Sequence, residues 1–340
     1  MSAPRRPVRA APTAAPPRAA LPARTRVDLS VQVGPLRLKN PVLAASGTFG
    51  YGTEFLPYLK LADLGGFVTK GLSLRPRRGN APYRTCETAA GMLNAIGLAN
   101  VGVEAFIAEK LPALRGHDTV VIANVFGETQ DEYVAVARRL NGAAGVHALE
   151  LNLSCPNTEK GGLAFGVSPP VIREVVAAVR RAAPDLPLIV KLTPNITDIA
   201  EAARAAREGG ADIASLVNTF LGMAIDLRTR RPVLDNVVGG LSGPAIKPLA
   251  LAMVHRVHQE AGLPIIGMGG ISGPEDALEF ILAGSSAVQV GTANFYDPTA
   301  GVRIVRGIEA WCRKEGVRRV ADLTGALRLP PERGAPRASA

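Results

Sequence analysis

Short β-branched runs alternate with longer stretches of helical periodicity along most of the chain, and each run ends in a polar residue or a glycine. The pattern predicts strands over 42–46, 66–70, 120–124, 148–152, 188–191, 213–218, 264–269 and 287–292. Between them, segments such as 129–140, 168–181, 197–208, 243–261 and 274–283 carry apolar residues at helical intervals. Strands of about five residues that are apolar on both faces suit a parallel sheet covered on each side. Repeated β/α alternation predicts an α/β protein, a (β/α)8 TIM barrel, with an open doubly wound sheet as the alternative. The unusual residues favour the barrel. Ser46, Lys70, Asn124, Asn152, Lys191, Asn218, Gly269 and Thr292 all fall at carboxyl ends of predicted strands, where barrel enzymes build their sites.

Insertions are expected after strands 2, 4 and 6. The stretches 72–98 and 220–242 exceed ordinary connections, and we expect structureless lids or binding loops there. The chain of 340 residues accommodates one barrel over 27–329, a disordered arm over 1–26 and a disordered tail over 330–340.

Net charge is +10, but Arg5, Arg6, Arg9, Arg18, Arg24 and Arg26 all precede the first acidic residue, Asp28, so the barrel itself is only mildly basic. The arm's prolines break any apolar segment after Arg5-Arg6, which argues against twin-arginine export. A solvated arm, with no nucleic-acid partner, is the expectation. No apolar run approaches the roughly 18 to 20 residues that span a bilayer, so we expect a cytoplasmic protein without a membrane partner. Cys86, Cys155 and Cys312 lie far apart, which excludes a disulfide framework and an iron–sulfur cluster held by this chain alone, and no metal site is predicted.

Glycine-rich ends of the last two strands, Gly267-Met-Gly-Gly-Ile271 and Val290-Gly-Thr-Ala293, let backbone amides approach an anion, and Gly243 adds another. Each loop alone could be a plain tight turn; together they predict a phosphate cradle. Lys70 and Lys191 suit a flavin, because a fixed ammonium stabilises the negative charge that a reduced flavin carries near N1 and O2. A structural role for Lys191 would require a carboxylate partner, and none is evident in the sequence; Lys70 could instead be a rim charge.

The densest motif is Glu150-Leu-Asn-Leu-Ser-Cys-Pro-Asn157, in which Cys155 sits on a loop over the expected barrel mouth. Its thiolate is a competent base if the local field lowers its pKa; a packed, inert thiol is the alternative. Asn94, Asn152, Asn157 and the Asn218-Thr219 pair add neutral groups that read both donors and acceptors of an amide-rich heterocycle such as a pyrimidine.

At these residues the chain resembles the dihydroorotate dehydrogenase family from about 27 to 329. The motifs that carry the resemblance are 45–50, 93–98, 150–157, 218–219, 239–248 and 266–270. It implies oxidation of (S)-dihydroorotate to orotate in pyrimidine biosynthesis, with FMN taking hydride from C6 and Cys155 taking the C5 proton. By the same resemblance, Lys70, Asn94, Ala95, Ile96, Gly97, Leu98, Asn152, Asn157, Asn218 and Thr219 hold the substrate. Ser46, Lys70, Gly71, Asn124, Asn152, Lys191, Val217, Gly243, Gly269, Gly270, Gly291 and Thr292 hold FMN.

A cysteine base and a Pro-rich N-terminus set the chain apart from the quinone-linked class. The stretches 94–98 and 218–227 resemble the NAD-linked class more than the fumarate-linked one. In the NAD-linked class a barrel homodimer sits within a heterotetramer whose second subunit carries FAD and a 2Fe-2S cluster. The rival readings are another flavin barrel acting on a reduced pyrimidine, such as dihydropyrimidine dehydrogenase or tRNA-dihydrouridine synthase, and a non-enzymatic scaffold that binds a partner or RNA through the arm.

Overall fold

The computed structural model describes residues 21–22, 25–153 and 165–330. Eight parallel strands close into a barrel: β1 (Val42–Ala44), β2 (Gly66–Val68), β3 (Val120–Val125), β4 (Ala148–Asn152), β5 (Leu188–Lys191), β6 (Ile213–Leu216), β7 (Ile265–Met268) and β8 (Ala287–Val290). Each predicted strand is present, several shorter by one or two residues at an end. The truncated ends carry chemistry: Ser46, Lys70, Asn218, Gly269 and Thr292 lie just past the ladder, while Asn124, Asn152 and Lys191 remain inside it. Lys70, for instance, gives its backbone N–H to Gly50 O and not to a neighbouring strand.

Amphipathic helices cover the barrel: α1 (Gln130–Asn141), α2 (Pro169–Ala182), α3 (Ile199–Glu208), α4 (Lys247–Glu260), α5 (Pro274–Ala283) and α6 (Ala300–Lys314). Their starts are chemically marked. Thr129 Oγ1 accepts from Glu132 N at 3.3 Å, and Asp198 Oδ1 accepts from Ala200 N at 2.9 Å, each satisfying an N–H that the helix leaves free. The face of α3 turned to the sheet is largely alanine, with Ala200, Ala203 and Ala206 fully buried, so the helix lies close on the strands. A hairpin of Val31–Val33 and Leu36–Leu38 alternates buried and exposed residues, and at its turn Gly34 packs on Asp212 and Ile213 at the amino end of β6. That end of the barrel is thereby covered, and the carboxyl end carries the site.

The long stretches after β2 and β6 are not structureless, contrary to the expectation from length. Thr85–Thr88, Gly91–Asn94, Phe220–Met223 and Val238–Ser242 form a four-stranded antiparallel sheet. Chain packed against the barrel rim must pair its backbone N–H and C=O groups, and the two insertions pair with each other. The connection after β4 includes 154–164, outside the described residues, so Cys155 and Asn157 lie there.

Candidate active site

A cavity of about 540 Å³ opens at the carboxyl end of the barrel, within the range of roughly 300–1,000 Å³ that small-molecule sites occupy. Of the residues expected to bind a cofactor, all line it: Ser46, Lys70, Gly71, Asn124, Asn152, Lys191, Val217, Gly243, Gly269, Gly270, Gly291 and Thr292. Of the residues expected to bind a substrate, Asn94, Ile96, Gly97, Leu98, Asn218 and Thr219 join them.

Ala95 does not. It is 1% exposed and packs with Leu93 and Leu234 on the far side of the antiparallel sheet. Extended chain turns successive side chains to opposite faces, so Asn94 and Ile96 reach the cavity and Ala95 cannot.

The cavity has a glycine end and a charged floor. At the glycine end, Gly269 and Gly270 adopt φ of +125° and +77°, a region that side-chain-bearing residues avoid. A Cβ on Gly291 would meet nothing nearer than 3.6 Å, which leaves that backbone open to a ligand. Thr292 Oγ1 and Ser242 Oγ hydrogen-bond at 2.8 Å and tie the antiparallel sheet to the loop after β8.

On the floor, Lys191 is 6% exposed. Its ammonium does have a carboxylate neighbour, contrary to the sequence reading: Glu150 Oε1, at 4.0 Å. Glu150 is one strand away on β4, and it becomes a partner only through the register in which β4 pairs with β5. The separation exceeds hydrogen-bond length, so the pair balances charge without using the ammonium's donors.

Glu150 is itself fully buried and accepts from Asn124 Nδ2 at 2.8 Å, Ser215 Oγ at 2.9 Å and Gln289 Nε2 at 2.8 Å. Neither Glu150 nor Gln289 was singled out by the sequence reading. The available signal was a lone polar residue inside an apolar strand, as in Ala148-Leu-Glu-Leu-Asn152 and Ala287-Val-Gln-Val290.

Lys70 stands half-buried on the cavity wall. Burial lowers its pKa below the ordinary lysine value, the nearby Arg84 charge lowers it further, and Glu54 partly opposes both. Asn218 Nδ2 lies 3.4 Å from Asn152 Oδ1, while Tyr133 OH fixes the Asn152 backbone by donating to its carbonyl at 2.8 Å.

The sequence model of the dihydroorotate dehydrogenase family matches residues 28–311. The chain belongs to the dihydroorotate dehydrogenase family. It is 57% identical over 300 residues to the catalytic subunit of dihydroorotate dehydrogenase B (NAD(+)) of Pelobacter propionicus, a match that covers 88% of this chain and 98% of that one. A relative from Solibacter usitatus, named for the fumarate-linked A type, is 53% identical over 302 residues, covering 89% of this chain and 99% of its own. The crystal structure of DHODH in complex with ferulenol from Eimeria tenella superposes with a TM-score of 0.76 at 23% identity, covering 90% of each chain, and it shares the fold.

The dihydroorotate dehydrogenases bind FMN, and the residues present here fit such a group. Asn124 Oδ1 and Gln289 Oε1 are buried with no hydrogen-bond partner among the described residues, and both side chains line the cavity. Buried acceptors left without donors are costly, and a ligand N–H or hydroxyl relieves that cost.

Proposed function

We propose that this protein oxidises (S)-dihydroorotate to orotate in pyrimidine biosynthesis, using FMN held in the barrel cavity. The observation that carries this reading is the convergence in one cavity of a buried ammonium, orphaned amide acceptors and the glycine loops. When bound, FMN supplies the acceptor for the hydride leaving C6. Cys155, on the loop after β4, takes the C5 proton, which the adjacent C4 carbonyl acidifies.

Lys70 offers a cation to the substrate carboxylate, and Asn94, Asn152, Asn157, Asn218 and Thr219 read the ring's amide edges. Ile96, Gly97 and Leu98 close over the ring from the antiparallel sheet. Lys191 would offer its ammonium to the negative charge of the reduced cofactor, and Gly243, Gly269, Gly270, Gly291 and Thr292 would hold its phosphate. The electrons pass to NAD+ through a partner subunit that carries FAD and a 2Fe-2S cluster, in a heterotetramer built on a barrel homodimer. The reading places the protein in the cytoplasm; no described helix is long and apolar enough to cross a membrane.

The test is purification followed by an absorbance spectrum and assays with NAD+, fumarate and quinone. A flavin spectrum and dihydroorotate-dependent NAD+ reduction, requiring the partner, are expected. Turnover with fumarate by this chain alone would move it to the A type, and a colourless, inactive protein would refute the reading. Cys155→Ala is expected to retain FMN and lose nearly all turnover at neutral pH, and near-normal single-turnover flavin reduction in that variant would remove Cys155 as the base.

A further inference from the structure

The buried carboxylate on β4 has no place in the chemistry above, yet residues of four other strands converge on it. Glu150 lies one layer below Asn152 on the same face of β4, and Asn124 of β3, Lys191 of β5, Ser215 of β6 and Gln289 of β8 surround it. An ionised carboxylate only accepts hydrogen bonds. Both amides turn their NH2 groups toward it, and their oxygens, Asn124 Oδ1 and Gln289 Oε1, are left without donors among the described residues. Asn124 Oδ1 stands beside Gly71 on the cavity lining.

Resting on the reading of this cavity as an FMN site, we propose that Glu150 is a positioning residue that sets the polarity of the cavity floor. By holding the amide nitrogens of Asn124 and Gln289 it presents their carbonyl oxygens as acceptors, which selects a ligand bringing donors to the floor. Oxidised flavin has one ring N–H, at N3, and ribityl hydroxyls besides.

The substitution Glu150→Gln keeps the size and removes the rule. A glutamine offers one oxygen and one NH2, so its NH2 meets the NH2 of either Asn124 or Gln289. Ser215 adapts by turning its hydroxyl; the amide must turn over and point a donor where an acceptor stood.

The experiment titrates apoprotein with FMN and with 3-methyl-FMN, which lacks the N3 donor, following flavin fluorescence, and records the melting temperature of each apoprotein. The wild type is expected to prefer FMN by roughly tenfold or more, the scale of one buried group left unpaired. In Glu150→Gln, FMN binding is expected to weaken by a similar factor and the preference to shrink.

Should Glu150→Gln fail to fold, Gln289→Leu removes one acceptor while Glu150 keeps Asn124 and Ser215, and the preference is again expected to shrink. A wild type without preference, or folded variants that keep it unchanged, would overturn the proposal; a lower melting temperature with unchanged preference means a structural role alone. Wild-type apoprotein that binds no FMN at all would instead sink the cofactor reading beneath it.

Discussion

Lys247 Nζ lies 2.7 Å from Asp276 Oδ1, joining the first turn of α4 to the first turn of α5 directly beneath two of the glycine loops. Asp276 Oδ2 also accepts from Ser272 N at 2.8 Å and Gly273 N at 3.0 Å, so one carboxylate caps α5 and anchors α4. Gly243 and Gly270 meet at this clamp: a Cβ on Gly270 would touch Lys247 Cβ and Gly243 O.

The clamp makes stability depend on acid pH. Burial alone would raise the Asp276 pKa, but the Lys247 hydrogen bond, the backbone amides and the Lys247 charge together hold it below 3.8. A carboxyl depressed in the folded state contributes fully above its unfolded pKa, and the contribution is lost as pH falls through the folded value. Urea midpoints measured from about pH 5 to about pH 3 are expected to fall more steeply in the wild type than in Asp276→Asn. Parallel curves would show that the carboxylate contributes nothing there.

Gly270→Ala is expected to destabilise the fold and weaken FMN together. Its φ is +77°, and the added Cβ would stand 2.8 Å from Lys247 Cβ and 2.9 Å from Gly243 O. The cost should be roughly 1–3 kcal/mol, readable as a lower melting temperature. An unchanged melting temperature would mean that the loop relaxes freely.

Lys191→Met is expected to weaken FMN binding or slow flavin reduction, because it removes the buried cation and leaves Glu150 without its counter-charge. Fluorescence titration and stopped-flow absorbance measure the two effects. Unchanged affinity and rate would count against the electrostatic argument.

Cys312 is fully buried on α6, and burial, assisted by the Glu309 charge, pushes its thiol up to about 11. It is expected to resist alkylation at mildly alkaline pH in the folded protein, and Cys86, part-exposed on the antiparallel sheet, is expected to react before it. Peptide mass mapping after a timed pulse of iodoacetamide reads the order, and early labelling of Cys312 would contradict its placement.

The barrel was legible because parallel strands covered on both faces carry continuous apolar runs, and because polar residues at their ends have no packing reason to be there. That is why the sequence alone places Lys191, Asn124 and Gly269 in one site. The antiparallel sheet was less legible: its strands sit in two insertions far apart in sequence, each pairing within itself, and only the pairing of Gly91–Asn94 with Val238–Ser242 joins them into one sheet.

What the amino-acid order determined by itself is local and periodic: eight strands, the helices between them, the glycine loops and the motif that contains Cys155. What only the folded barrel decided is who faces whom across it. Glu150 pairs with Lys191 because β4 and β5 pair in register, it reaches Gln289 because closure brings β8 across the barrel, and Ala95 leaves the cavity because a pleated chain alternates its faces. Contacts between residues distant in sequence carry no local pattern, so they exist only once the ring of strands is complete.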